Sequence, residues 1–238
     1  MHCSTKANKY NNTFLKTEQI IEIIDRYKPK QVNLSGGEPL LHENIYGIVD
    51  YLNKSNIKIN IYTSGITDDV RYKLLMFKDL YNINKIVFPI YSTRETLHNF
   101  ITNSNSFDKT KYIIEFSLSL GLQTEIHIVP MQINLYDLND TIQDLINIGI
   151  EKFNILKLVP QGRVLENKHL IPNDNALKNE MIKLKNRYNH KIKLGLPFNK
   201  EHECIAGKEK LVIQPNGTII PCESFKSGQC MCQRIGLK

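Results

Sequence analysis

The chain has 238 residues, 41% hydrophobic and 23% charged, with a formal net charge of +7 and five cysteines. That balance suits a folded globular protein and excludes a disordered one, and the length allows one large α/β domain with a small appendage. The positive charge would suit an acidic partner, but the basic residues are spread along the chain apart from Lys28-Pro29-Lys30 and the stretch 183–193, which reads as a solvated surface and not as a nucleic-acid interface.

The start, Met1-His2-Cys3-Ser4-Thr5-Lys6, has no apolar signal-peptide core. No apolar run approaches the about 20 residues of a membrane span, so a cytoplasmic location with no membrane partner is expected. Residues 17–27 carry Ile20, Ile21, Ile23 and Ile24 among charges, a helix stopped by Pro29. Strands are expected at 31–34, 58–62, 85–90, 124–130 and 152–158, and helices at 43–54, 68–80, 107–120, 136–148 and 176–188, two of them closed by Gly121 and Gly149. Strand and helix alternate with short connections, which indicates a parallel sheet or barrel. The unusual residues fall at the C-terminal ends of strands, where parallel barrels do their work: 35–39, Thr63-Ser64-Gly65, Tyr91-Ser92, 131–134 and 160–163. A barrel of this kind should open with a strand, yet no strand pattern precedes Thr17. From about Lys191 the pattern changes to short β runs at 211–214 and 218–220, joined across Pro215-Asn216-Gly217, a hairpin signal.

Two glycines after a strand let the backbone approach a ligand and expose its amides. In Ser35-Gly36-Gly37-Glu38-Pro39 they are followed by a carboxylate, which suits an ammonium group better than a phosphate; the Gly-Lys-Ser/Thr of a phosphate loop is absent. His98 lies on a helix-like run and reads as a surface or packed histidine. His127 lies within an apolar strand and reads as a satisfied core histidine, and Glu125 alternates with it without an identifiable partner. Clustered cysteines in a chain without an export signal are more often metal ligands than disulfides. Here Cys204, Cys222, Cys230 and Cys232 lie close to the C-terminus and Cys3 stands alone.

Leu34-Ser35-Gly36-Gly37-Glu38-Pro39-Leu40 resembles the motif with which radical S-adenosylmethionine (radical SAM) proteins grip the methionine amino group of SAM. Thr63-Ser64-Gly65 is similar to the Thr-Asn-Gly that ends the next strand in many members. Tyr91-Ser92, the stretch 96–102, Ser106-Phe107, 131–134 and 160–163 also have counterparts in peptide-modifying members, so the likeness covers nearly the whole chain. The resemblance implies a partial (β/α)6 TIM-type barrel, here lacking its first strand, with a small cysteine-rich β-hairpin extension. The expected division is 1–190 for the core and 191–238 for the extension. It implies SAM-binding roles for His2, Ser35, Gly36, Gly37, Glu38, Pro39, Ser64 and Arg163, although Arg163 suits a substrate contact or a loop salt bridge equally.

Family members hold a [4Fe–4S] cluster on Cys-x3-Cys-x2-Cys, chelate SAM to its open iron, and cleave SAM to a 5′-deoxyadenosyl radical with an external electron donor. Met1-His2-Cys3 resembles the end of that motif, so the resemblance implies a chain beginning inside it, with two of three cluster cysteines absent. The run Cys204-x12-Gly217-x4-Cys222 matches the Cys-x9–15-Gly-x4-Cys opening of the SPASM/twitch extension. That implies an auxiliary [4Fe–4S] cluster on Cys204, Cys222, Cys230 and Cys232, although four sulfurs suit zinc as well. The implied substrate is a peptide or protein. No catalytic acid or hydrogen donor is identifiable, and a non-catalytic iron–sulfur or zinc protein that keeps the fold stands as the alternative.

Overall fold

The chain enters the fold through a helix, α1 (Thr17–Tyr27), whose Ile20 and Ile24 lie four residues apart on the face turned to the core. It ends where Lys28 takes a left-handed conformation just before Pro29. The fold is given by a computed structural model, which describes residues 3, 13–195, 198, 205–226 and 229–230. Then come β1 (Gln31–Leu34), α2 (Ile45–Lys54), β2 (Lys58–Tyr62), α3 (Val70–Leu80), β3 (Ile83–Pro89), α4 (Glu95–Thr102) and α5 (Phe107–Ser119). These lead to β4 (Thr124–Ile128), α6 (Leu138–Asn147), β5 (Lys152–Ile155), α7 (Asp174–Tyr188) and β6 (Ile192–Leu194).

The six strands form one parallel sheet in the order β1-β2-β3-β4-β5-β6. When every crossover moves one strand onward with the same right hand, all helices stack on one face and the sheet curls around the other. The result is an α/β partial TIM-type barrel. Period-two alternation sorts the side chains. Ile59, Ile61, Ile86, Phe88, Ile126, Ile128, Phe153 and Ile155 face the helices and are at most 1% exposed. The alternate positions, among them Asn33, Asn60, Lys85, Glu125, His127 and Asn154, line the concave face. His127 therefore does not belong to the apolar core, because its parity on β4 is opposite to that of Ile126 and Ile128.

Strands β1 and β2 and helix α1 keep the bounds expected from sequence; other elements shift by a few residues at their ends. The expected helix at 136–148 opens with a 3-10 turn at Leu135–Asp137. The helix-like run around His98 is α4, and one feature lies beyond the sequence reading: β6, which extends the sheet from five strands to six. With three residues β6 is too short to show a period.

Beyond β6 the expected hairpin is present as β7 (Val212–Ile213) paired antiparallel with β8 (Ile219–Ile220). Its turn holds Gly217 at φ 83°, and Thr218 N–H donates to Asn216 Oδ1 at 3.0 Å. A second small hairpin, β9 (Phe225–Lys226) with β10 (Gln229–Cys230), follows and sets Cys230 opposite Phe225. Among the described residues no helix is long and apolar enough to cross a membrane.

Candidate active site

Strand β1 delivers the chain to the C-terminal mouth of the barrel, where Ser35, Gly36 and Gly37 are exposed and Gly36 takes a φ of 135°. That conformation suits glycine and leaves open space where a Cβ would stand. The loop then closes into a 3-10 turn, Pro39–Leu41, with Pro39 and Leu40 buried. Two polar clamps hold this turn. Lys73, itself buried on α3, donates to the Leu40 carbonyl at 2.5 Å and pairs with Asp69 at 2.6 Å. His42 sits 2.8 Å through Nε2 from the Leu15 carbonyl and accepts the Asn44 N–H at Nδ1, at 3.0 Å.

The Glu38 carboxylate is fixed from two sides. Oε1 accepts the Leu40 N–H at 3.2 Å, while Oε2 accepts the Ser64 N–H at 2.9 Å and the Ser64 hydroxyl at 2.7 Å. Ser64 is held in turn, since its carbonyl accepts the Thr110 hydroxyl of α5 at 2.8 Å. The next residue, Gly65, has φ 72°, and a Cβ there would stand 3.2 Å from Ile113 and Phe88. The loops after β1 and β2 thus meet through a carboxylate whose geometry is set before any ligand arrives. Thr110, on a helix and far along the chain, carries no signal in the sequence.

Across the mouth, Asn134 ties the loop after β4 to that after β3. It is fully buried, accepts the Met131 N–H at 2.6 Å and donates to the Tyr91 carbonyl at 2.9 Å. The Ser92 hydroxyl donates to Asp137, which also pairs with Arg94 at 2.7 Å. Cys3 lies at the same end: its carbonyl accepts the Arg163 N–H at 3.0 Å. Burial and the nearby Cys3 raise the Tyr91 hydroxyl above its ordinary pKa. His98 is packed between Tyr91 and Phe107, fully buried; burial lowers it to about 4, and its Nδ1 has no partner among the described residues.

Below the mouth, the concave face carries a polar network. Asn60 donates to Asn33 at 2.7 Å and Asn84 donates to Asn60 at 2.6 Å. Glu125, unpartnered in the sequence reading, accepts Lys85 at 2.6 Å and His127 at 2.8 Å. Burial works against its charge, but the hydrogen bonds from His127 and Lys85 and the Lys85 charge outweigh it and hold the carboxyl at about 2. Tyr62 packs edge-on to His127 at 5.3 Å. Burial, then the charges of Glu125 and Glu223, push its hydroxyl up to about 12. The extension therefore reaches the barrel opening, and Gln161 Nε2 donates to the Glu223 carbonyl at 2.6 Å.

Of the metal-ligand candidates, Cys3 and Cys222 are both partly buried and neither is in a disulfide. The backbone brings Cys222 within one turn of β9, and so of Cys230 on β10, through the Phe225 N–H donated to the Cys222 carbonyl at 3.1 Å. A Cβ on Gly207 would stand 3.3 Å from Pro221, so the segment beginning at Ile205 returns beside Cys222. His2, Cys204 and Cys232 lie outside the described residues, among which no three His, Cys, Asp or Glu side chains gather as a metal site. Cys3 is the only cysteine before Cys204, and one thiolate does not fit a [4Fe–4S] cluster that family members hold with three. The exposed glycine loop and fixed carboxylate do fit the ammonium end of SAM.

Comparison with known proteins agrees with this geometry. The Radical SAM superfamily matches residues 1–153. GTP 3',8-cyclase of Clostridium perfringens is 28% identical over 177 residues, 68% of this chain and 53% of that protein. Mycofactocin maturase MftC of Mycolicibacterium smegmatis is 23% identical over 240 residues, 93% of this chain and 60% of that protein. Among solved structures, Streptococcus suis SuiB bound to its precursor peptide SuiA superimposes with a TM-score of 0.68 at 15% identity, over 91% of this chain and 54% of SuiB. The chain thus spans between about half and two thirds of the length of these relatives. With the match over residues 1–153 covering more than half of its length, the chain belongs to the radical SAM superfamily.

Proposed function

We propose that the chain is the SAM-binding core of a radical SAM enzyme that modifies a peptide or protein. The observation that carries this reading is the Glu38 carboxylate, held at the barrel mouth by Ser64 and Leu40 beside the exposed glycine loop. Glu38 and the backbone of Gly36 and Gly37 would hold the methionine ammonium, and Ser35, Pro39 and Ser64 shape that cradle; His2 would lie near the adenine and Arg163 at the ribose or carboxylate of SAM. SAM bound there would supply hydrogen-abstracting chemistry: one electron from an external donor would break its S–C5′ bond into methionine and a 5′-deoxyadenosyl radical. Cys3 alone does not hold the cluster; it would supply one of the three thiolates that such a cluster takes. Past β6, which belongs to the barrel sheet, the chain would act as a SPASM/twitch-like extension carrying one auxiliary cluster on Cys204, Cys222, Cys230 and Cys232. The returns of the chain beside Cys222 support that grouping.

A peptide substrate is favoured over a nucleotide by the alignment with the PqqA peptide cyclase of Bradyrhizobium diazoefficiens over 83% of this chain, whereas the match to the GTP cyclase covers 68% of it. The test is anaerobic reconstitution with iron and sulfide in excess small thiol, which supplies the ligands Cys3 lacks, then SAM and a reductant. The enzyme reading expects 5′-deoxyadenosine, lost in Glu38→Gln. Iron held only through the C-terminal cysteines, with no SAM cleavage, would leave a non-catalytic iron–sulfur or zinc protein.

A further inference from the structure

The concave face of the barrel holds one group that the reading above does not use. Lys85, Glu125 and His127 run across β3 and β4 as a chain of contacts, Nζ to Oε2 at 2.6 Å and Oε1 to Nε2 at 2.8 Å. An ionised carboxylate only accepts, so in the neutral ring the proton sits on Nε2 and the lone pair on Nδ1. The Asn154 amide nitrogen, 3.4 Å from Nε2, is a donor and does not accept that proton. Tyr62 braces the ring edge-on.

What remains is an acceptor without a donor. His127 Nδ1 makes no hydrogen bond among the described residues, and it is not one of their sealed polar atoms. It stands open on a face whose other polar groups are largely paired with one another, on a ring held in place by Glu125 and Tyr62. The Lys85 and Glu125 charges cancel, so this corner offers hydrogen-bond acceptance and no net field.

We infer that His127 is a substrate-contacting, specificity-determining acceptor whose Nδ1 receives a hydrogen-bond donor of the substrate: a side-chain hydroxyl, thiol or ammonium. Glu125 and Lys85 are positioning residues that fix its tautomer and ring. The inference rests on the reading that a peptide enters the barrel, and it gives that peptide a polar, donor-bearing side chain.

The experiment uses the full chain with imidazole nitrogens labelled and needs no SAM turnover, so its failure is distinct from failure of the SAM reading. Four synthetic pentapeptides that differ only at the central residue, Ser, Cys, Lys or Ala, are titrated while the His127 nitrogens are followed by NMR. The expected result is an Nε2–H tautomer in the free chain, with Nδ1 shifting saturably for one or more of the Ser, Cys and Lys peptides and not for Ala. Which peptide acts identifies the donor. His127→Gln keeps an amide at the Nε2 position, and it is expected to bind the active peptide about tenfold more weakly, the worth of one such hydrogen bond, with an unchanged melting temperature. Glu125→Gln should mix the tautomers. A proton on Nδ1 in the free neutral ring, equal shifts with the Ala peptide, no shift with any of the four, or full affinity in His127→Gln would each overturn the inference.

Discussion

At the scale of single residues, buried His98 and half-buried Glu125 contribute to how the fold responds to acid. His98 is lowered from an ordinary 6.5 to about 4 by burial, so the folded state binds fewer protons than the unfolded state between those values. Its contribution is present above about 6.5 and is lost as pH falls toward 4. Glu125 is held at about 2 from an ordinary 4.5, so its contribution is lost lower, between about 4.5 and 2. Urea titrations across pH should show two successive losses of stability. His98→Phe, which keeps a ring between Tyr91 and Phe107, should remove the upper one. Glu125→Gln should remove the lower one, on the order of 2 kcal/mol given its partial exposure. An unchanged acid profile in either variant would contradict the assignment. At the mouth, Ser64→Ala removes a hydroxyl donated to a carboxylate, and SAM affinity should fall by about 1.5–3 kcal/mol, the range for hydrogen bonds to charged groups.

At the scale of elements, the loop after β1 depends on α3. Lys73 joins the Leu40 carbonyl to Asp69 from a buried position, so Lys73→Met should cost about 1–3 kcal/mol of stability by orphaning that carbonyl. It should also loosen Glu38, read as weaker SAM binding by calorimetry beyond what the stability loss explains. Gly36→Ala meets no atom, so its cost is backbone strain alone, about 1–3 kcal/mol. The elements that carried strong periods were legible in sequence: α1, β1 and β2 have their expected bounds, and the Asn216-Gly217 turn forms its hairpin. The glycine loop was legible because residue type and position after a strand coincide. The concave face was not. Reading Glu125 and His127 requires knowing which parity of β4 meets the helices, and an apolar strand with two polar positions fits a core histidine equally well until its neighbours Lys85 and Asn154 are placed beside it. Thr110 and Lys73 were likewise invisible, since each acts on a loop far away in sequence.

At the scale of the molecule, the polar concave face, the braced mouth and the extension that reaches it through Gln161 and Glu223 suit the proposed entry of a polar ligand from the C-terminal end of the barrel. The core on the other side of the sheet is aliphatic and aromatic throughout, so the two faces divide the labour of stability and binding. The account's central claim is that SAM binds at the mouth through Glu38. Isothermal titration of the chain with SAM tests it most directly, with Glu38→Gln and Ser64→Ala alongside. Saturable binding that weakens by about tenfold or more in both variants, at unchanged folded content, is the result expected. Saturable binding of equal strength in all three proteins, or none in the parent chain, would contradict it.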